Sequence, residues 1–544
     1  MNGEFDIRRS TESTVDEHRA DADKRTGRVR SALASALAWD LLLGVVSAAW
    51  ALYFIHSFAP GRVNVDIANQ YRQAIGKIPV TDWHPPIMSA VWRVLIDVTG
   101  EPGSLLVLQV GLIAAACWGL GVVVHRLGAA RWVSLLGPAV MVTPWVLSQM
   151  TTLWKDTQMA AAMVAAVMLL IIVRFVPKAW ILWLPALALL VYAVGLRKNA
   201  VFAIVPIAVY MGWCLVVALR ARRRRGIGSA AGAVNPADSD DARAASKPSR
   251  LRNGLAYASA SLVVLIAIGA GVKATDAVIA SRVEVTPTGQ ISQILLDDVM
   301  FSVPDTDLMS ADAPVELKEK ISSARDKCLE MGEIWDAYWN CYGRGATGEP
   351  FSPIAYQDEL RNLWLSTVIT YPLRYLEYRS AVFSYYFFTS RVEYWPDDWH
   401  GAADAAGIDR GSGRADYIFQ PYVEDFALGT FPMLFKPWFW TLIAGLLLVV
   451  AYRSRRKAVG APPATESPGR SAYLSARAGL APEITMLAAS ALCYTFGYFP
   501  IVPANHFRYT YWPALAVTVG IVLVLGAWSV RRRRARWHSA SPEA

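Results

Sequence analysis

The chain has 544 residues, 54% hydrophobic and only 18% charged, against about 25% charged in an ordinary soluble domain. Apolar runs of about 20 residues, each long enough to cross a hydrocarbon core of roughly 30 Å, recur from Leu41 to Val530, which excludes a soluble globular, fibrous or disordered chain. The net charge of +9 is gathered in short arginine clusters beside apolar runs, an orientation signal rather than a nucleic-acid footprint.

Residues 1–35 are polar and densely charged and read as a cytoplasmic tail. Arg8 and Arg9 resemble a twin-arginine pair, but no short apolar core follows before Arg30, as an export signal requires. The first span runs from Ala36 to Phe58, and the second, Leu105 to Val124, stops at His125, Arg126 and Arg131. The third returns from Trp132 to Gln149, and the fourth, Thr157 to Ile172, stops at Arg174 and Lys178. The fifth covers Ala179 to Gly195; the sixth, Asn199 to Leu219, ends on Arg220 and the run Arg222 to Arg225. Residues 220–253, rich in Ala, Ser, Gly and Asp, read as a flexible cytoplasmic linker.

A seventh span within 254–279, from Leu255 to Ile279, opens onto the polar and aromatic stretch 280–434, expected to be one extracytoplasmic domain of mixed or mainly helical fold. Residues 435–530 supply the eighth (Phe439 to Ala451), ninth (Ile484 to Val502) and tenth (Tyr511 to Val530) spans, and 531–544 form a basic cytoplasmic tail. The expected fold is an α-helical polytopic protein of a bacterial plasma membrane, with about ten transmembrane helices and both termini cytoplasmic; shifting the count by one span would put an arginine run outside.

In this arrangement the polar residues that interrupt the apolar pattern collect on the extracytoplasmic side. Asp66, Asp82 and His84 fall between spans one and two, Lys155 and Asp156 between three and four, Arg197, Lys198 and Asn199 between five and six, and Asn505, His506 and Arg508 between nine and ten. Three of these loops are only a few residues long, so their charges must sit at the mouth of the helix bundle, where ionisable groups are costly and mark function. The plainer reading is interfacial anchors with snorkelling side chains.

The loop 59–84 carries the sharpest pattern. Ile67, Tyr71, Ala74, Ile75 and Ile78 repeat on one helical face, with Asp66, Asn69, Gln70, Gln73 and Lys77 on the other, which predicts a short helix lying on the membrane surface. Asp66 begins it, either as its N-cap or as a catalytic carboxylate. Asp82, Trp83, His84, Pro85 and Pro86 then make a rigid turn into the next helix, which His84 either orients or serves chemically.

An Asp at the start of a surface helix after the first span, followed by His84-Pro85-Pro86, resembles the GT-C membrane glycosyltransferases, particularly the family 39 group of protein mannosyltransferases and aminoarabinose transferases. Trp154-Lys155-Asp156 and Leu196-Arg197-Lys198-Asn199 also resemble motifs of bacterial members. The resemblance covers the module 36–219 and fades in 280–434. Many relatives have Asp-Glu in the first loop, whereas Asp66 is followed here by Ile67, so a second carboxylate has to come from Asp82 or Asp156.

The resemblance implies a hexosyl- or pentosyltransferase that moves a sugar from a polyprenyl-phosphate donor to a hydroxyl of an envelope glycan, lipid or protein, with the bilayer and no nucleic acid as further partners. The residue types suit that chemistry. Asp66, with His84 and Asp156, can take the acceptor proton, and Lys155, Arg197, Lys198, His506 and Arg508 can hold the phosphate. Asp82, Asn199 and Arg379 are candidate substrate contacts. Asp66 and Asp156 are the candidate ligands of a divalent ion, Mg or Mn. The rival reading, a transporter or flippase for a lipid-linked glycan, predicts charges at mid-span and pseudo-repeated halves; no internal repeat is visible.

In 280–434, Trp364, Tyr371, Pro372, Tyr375, Tyr378 and Arg379 form a helix-spaced aromatic stretch that suits either a domain core or the membrane interface. Tyr394, Trp395, Trp399 and His400 suit either sugar stacking or an interfacial belt. Of five cysteines, Cys117, Cys214 and Cys493 fall within spans, while Cys328 and Cys341 lie in the oxidising compartment and are expected to form a disulfide. Closing that loop contributes about 3 kcal/mol in the chain-entropy picture.

Overall fold

The computed structural model describes residues 35–230, 250–289, 291–335, 337–343, 353–388, 400–408, 414–459 and 479–539. Among these, eight helices are long and apolar enough to cross a membrane: Ser35–Phe58, Ser104–Arg126, Lys155–Phe175, Pro177–Leu196, Ala200–Ala221, Leu251–Ala280, Pro437–Arg456 and Tyr511–Arg533. The protein is therefore an α-helical chain built to pass a membrane several times. Lys155–Phe175 is its central helix, 78% buried along its apolar window, whereas Leu251–Ala280 is 22% buried and peripheral.

Two of the ten expected spans differ from a simple rod. The third is a bent pair, Arg131–Val142 and Pro144–Met150, turned by 46°. Its break lies at Thr143, which is extended (φ −67°, ψ 136°), because Pro144 lacks an amide hydrogen and its ring drives the preceding residue out of helical geometry. The ninth is the 17-residue helix Ala481–Gly497, shorter than the eight. The helix expected after the Pro85-Pro86 turn is Pro86–Thr99, with Pro86 in its first turn and Gly100 closing it at φ +76°.

The main core runs through the bundle and takes in Tyr378, Tyr386, Phe419 and Val423 from 280–434. A second, separate core joins Leu296, Val299, Leu317, Ile321, Cys328, Leu360 and Leu363. The 280–434 segment is thus divided: its first part has its own core, and its later part packs into the bundle. Cys328 and Cys341 are disulfide-bonded within the smaller core. Tyr394, Trp395, Trp399, linker residues 231–249 and residues 1–34 lie outside the described residues, whereas the two ends of the expected linker, 220–230 and 250–253, are helical continuations of Ala200–Ala230 and Arg250–Ala280.

A two-stranded parallel sheet, β1 (Val80–Thr81) and β2 (Val285–Thr286), ties the first loop to the start of the 280–434 segment in the register Val80↔Val285 and Thr81↔Thr286.

Candidate active site

The first loop is laid against the turn before the central helix. The Arg62 amide donates to the Thr151 carbonyl (3.0 Å), and the Leu153 amide donates to the Arg62 carbonyl (3.1 Å). The approach requires Gly61: it sits at φ +113°, and a Cβ there would lie 2.7 Å from the Leu153 side chain. From the other side, the buried Gln109 amide nitrogen donates to the carbonyls of Met150 (2.5 Å) and Thr152 (3.0 Å), and Gln158 donates to the Gln109 oxygen (2.8 Å). The Gln109 amide, bonded through both its nitrogen and its oxygen, fixes this turn inside an apolar bundle. These bonds hold the turn that leads into the helix of Lys155 next to the segment that leads into the helix of Asp66.

The helix within the first loop is α1, Val65–Ala74, and two expectations about it are corrected. Its N-cap is Asn64, whose side chain accepts from the Ile67 amide (3.0 Å). Asp66 stands in the first turn instead, its carboxylate left for other work. Nor does α1 float on a surface: Gln70 and Gln73, expected to face solvent, are 0% and 4% exposed. The Ser89 hydroxyl of the following helix donates to the Gln70 carbonyl and the Gln73 side-chain oxygen, both at 3.2 Å. Burial of the polar face became possible because Pro86–Thr99 packs on it.

These loops surround a cavity of about 660 Å³. Asp66, Asp82, His84, Lys155, Arg197, Lys198, Asn199, His506 and Arg508, separated by up to 442 positions in sequence, all line it. Arg508 Nη1 lies 3.5 Å from Asp66 Oδ2. Its guanidinium stacks 4.1 Å from the centre of the buried Trp154 ring, and its Nη2 donates to the Tyr509 hydroxyl (3.0 Å). Lys155 has no carboxylate within ion-pair distance among the described residues, so its ammonium is the cation left over at this mouth.

The remaining expected residues fall outside the cavity or are already engaged. Asp156 is fully buried and does not line the cavity; it forms an ion pair with Arg197 (2.9 Å), whose Nη2 donates to the Tyr498 hydroxyl (2.9 Å). It orients a cation rather than facing a substrate. Lys198 is 60% exposed and pairs with Asp276 (3.3 Å) at the rim. The Asp82 carboxylate, expected to touch substrate, accepts from the Thr288 amide (2.6 Å) and hydroxyl (2.5 Å). Arg379 does not line the cavity: it is 1% exposed and pairs with Asp298 (2.6 Å) in the second core, because the aromatic stretch around it packs inward.

The electrostatics follow from burial among cations. Burial raises the Asp66 pKa, but His84, Arg508 and Lys155 outweigh it and hold the carboxyl below its usual range, so it is ionised at neutral pH. Burial, and then Lys155, push the His84 pKa down to about 4 against the pull of Asp66, leaving a neutral imidazole whose Nδ1 is buried without a hydrogen-bond partner. Burial and Arg508 likewise take His506 well below the ordinary histidine range, and its Nδ1 accepts from the Arg508 amide (3.1 Å). Burial opposes the Arg197 cation, but Asp156 and the tyrosines around it keep its pKa well above normal.

Asp66 and Asp156, the expected metal ligands, each face an arginine, and among the described residues no group of three or more His, Cys, Asp or Glu side chains gathers to hold an ion. The donor set therefore suits an anion better than a divalent cation. Residues that the sequence reading missed are Gln109 and Gln158, neutral amides inside spans, and Tyr498, Asp276 and Gln293, which line the cavity from helix ends and a loop. Among known proteins, no family model, curated sequence or solved structure matches this chain.

Proposed function

We propose that this protein is a GT-C-type glycosyltransferase of ten spans, counting the bent pair and Ala481–Gly497, that transfers a sugar from a polyprenyl-phosphate donor to a hydroxyl acceptor on the extracytoplasmic face. The observation that carries the reading is an ionised carboxylate, Asp66, in one cavity with an unpaired ammonium, Lys155, and with Arg508. A base for the acceptor and cations for a leaving phosphate are the two requirements of glycosyl transfer from a phosphate ester.

In this reading the acceptor oxygen attacks the anomeric carbon, the bond from that carbon to the phosphate oxygen breaks, and the hydroxyl proton passes to Asp66. The polyprenyl phosphate leaves as an anion held by Lys155 and Arg508. Arg197, fixed by Asp156 and Tyr498, adds positive potential from behind. His84, neutral at working pH, lines the same cavity as Asp66 and is assigned a positioning role, with Asp66 as the base. No step is routed through a metal.

The test is Asp66→Asn. Asn64 is the helix cap, so the substitution leaves the cap intact and removes only the base and the partner of Arg508. Transfer from a polyprenyl-phosphate sugar should fall at least about 10²-fold, as for removal of a positioned general base, while the protein stays folded and still binds the donor. Near-normal transfer would refute the assignment.

A further inference from the structure

The cationic residues of the cavity have a role in the reading above, but a second part of its wall does not. That wall belongs to the 280–434 segment, from which Val285, Ile291, Gln293 and Ile294 line the cavity. It is held from two directions. Toward the first loop, β1 and β2 pair in parallel, the Asp82 amide donates to the Thr286 carbonyl (3.1 Å), and the Asp82 carboxylate takes both the amide and the hydroxyl of Thr288. Toward the second core, Arg379 donates to the Ile294 carbonyl (3.2 Å) while paired with Asp298. A surface fixed on both sides loses little freedom when it binds, as recognition surfaces require.

The chemistry of this wall is unlike that of the cationic end. None of its four side chains is charged, and the ionisable group fastened to it, Asp82, is an acid. An anion there would meet like charge with no cation of the wall to offset it. Gln293 is the one polar side chain of the four; it is part-exposed and has no hydrogen-bond partner among the described residues. An amide offers donor and acceptor together, the complement of a hydroxyl, which is also both. Val285, Ile291 and Ile294 supply the apolar contact that the C–H face of a sugar ring needs.

We propose that Val285, Ile291, Gln293 and Ile294 form an acceptor subsite for an uncharged, hydroxyl-rich glycan, read by Gln293 and held in place by Asp82 acting as a positioning residue. The proposal rests on the polyprenyl-phosphate reading of the same cavity.

The experiment uses the full chain in lipid nanodiscs, with mannotriose, galactotriose and their 6-phosphates as soluble probes in saturation-transfer NMR, and undecaprenyl phosphate as the donor-side probe. A neutral trimer should bind, and its phosphate should bind at least about tenfold more weakly. Gln293→Leu should weaken the neutral trimer at least about fivefold, the loss of one or two neutral hydrogen bonds, and leave the affinity for undecaprenyl phosphate within about twofold of wild type. Asp82→Ala should weaken the trimer as well, and Asp82→Asn, which retains an oxygen for Thr288, should restore it; a purely structural defect would instead lower both ligands together. The proposal is overturned if neither neutral trimer binds, if the phosphates bind as tightly, or if Gln293→Leu binds the trimer like wild type. Wild-type protein that takes the trimer and no undecaprenyl phosphate would remove the donor reading and the acceptor role with it, an outcome read separately from the others.

Discussion

Lys155 and Arg174 stand near opposite ends of one helix, Lys155–Phe175, separated by about 28 Å of helical rise, close to the thickness of a hydrocarbon core. At each end a buried carboxylate meets an arginine, yet the two ends are built for different purposes. Around Arg174, the fully buried Glu483 pairs with the guanidinium and accepts from the Tyr210 hydroxyl (2.8 Å), while Arg174 also donates to the Gly479 carbonyl (3.2 Å) and packs beside Phe175 and Trp213. That cluster joins three helices and lines no part of the cavity. At the Lys155 end, Asp156 answers Arg197 and Asp66 stands 3.5 Å from Arg508, but no carboxylate among the described residues pairs with Lys155, and Asp66, Lys155, Arg197 and Arg508 open onto a cavity. The contrast separates ion pairs that fasten helices from an excess of positive charge at a cavity, the arrangement on which the proposed phosphate site rests.

The largest effect expected from this contrast is on stability, at the closed end. Glu483→Ala leaves Arg174 without its partner in a bundle interior, and removing one member of a buried pair costs about 3 to 5 kcal/mol. Thermal unfolding in nanodiscs should show that loss, while undecaprenyl phosphate binds the folded fraction as before. A variant as stable as wild type would mean that the two ends are not different in kind.

At the open end the effect should move from stability to binding. Lys155→Ala removes a charge with no internal partner, so unfolding should hardly change, whereas affinity for undecaprenyl phosphate should fall by about 1.5 to 3 kcal/mol, the worth of a charge-assisted bond to a desolvated phosphate. Arg508→Ala should weaken the ligand similarly and also destabilise the fold, because it leaves Asp66 without its arginine and Trp154 without its stacked cation. If Lys155→Ala binds the ligand like wild type, the charge excess serves no phosphate.

Much of this end was legible in the sequence, because a polar residue in a connection of a few residues between two spans has nowhere to be except the mouth of the bundle. That reasoning brought Asp66, His84, Lys155, Arg197, His506 and Arg508 together without any knowledge of contacts. It could not tell which of them would be engaged. Asn64 and Asp66 are equally good caps on paper, and only the starting turn of α1 decides for Asn64. Gln70 and Gln73 looked solvent-facing because the helix that covers them, Pro86–Thr99, is too short to register as a span. Arg379 sat in an aromatic stretch compatible with two environments, and Gln293, one neutral residue in a long polar segment, carries no signal at all. The break in the third span was visible in Pro144, although the angle was not.

The smallest effect concerns a third buried cluster, in the second core, which reverses the balance of the open end: two acids share one guanidinium. Asp298 pairs with Arg379 and accepts from the Trp364 indole (2.9 Å), and Asp297 accepts from the Tyr342 hydroxyl (2.8 Å). Burial pushes the Asp297 pKa up to about 7 against the Tyr342 bond and Arg379, with Asp298 adding to the rise; burial also lifts Asp298 to about 6 against Arg379 and Trp364. Both values lie above the ordinary 3.8, so the folded protein binds these protons more tightly than the unfolded chain does. Their contribution to stability is therefore complete at low pH and declines as pH rises from the unfolded value through the folded one. Unfolding of this part of the protein, followed by hydrogen exchange in the core residues Leu296 and Val299, should become easier between about pH 4 and 7. Asp297→Asn keeps an oxygen for Tyr342 and cannot ionise, so it should flatten that dependence and raise stability at pH 7 and above. A wild-type protein whose second core is as stable at pH 7 as at pH 4 would show that Arg379 neutralises both acids, and that the excess of charge over partners distinguishes only the open end of the bundle.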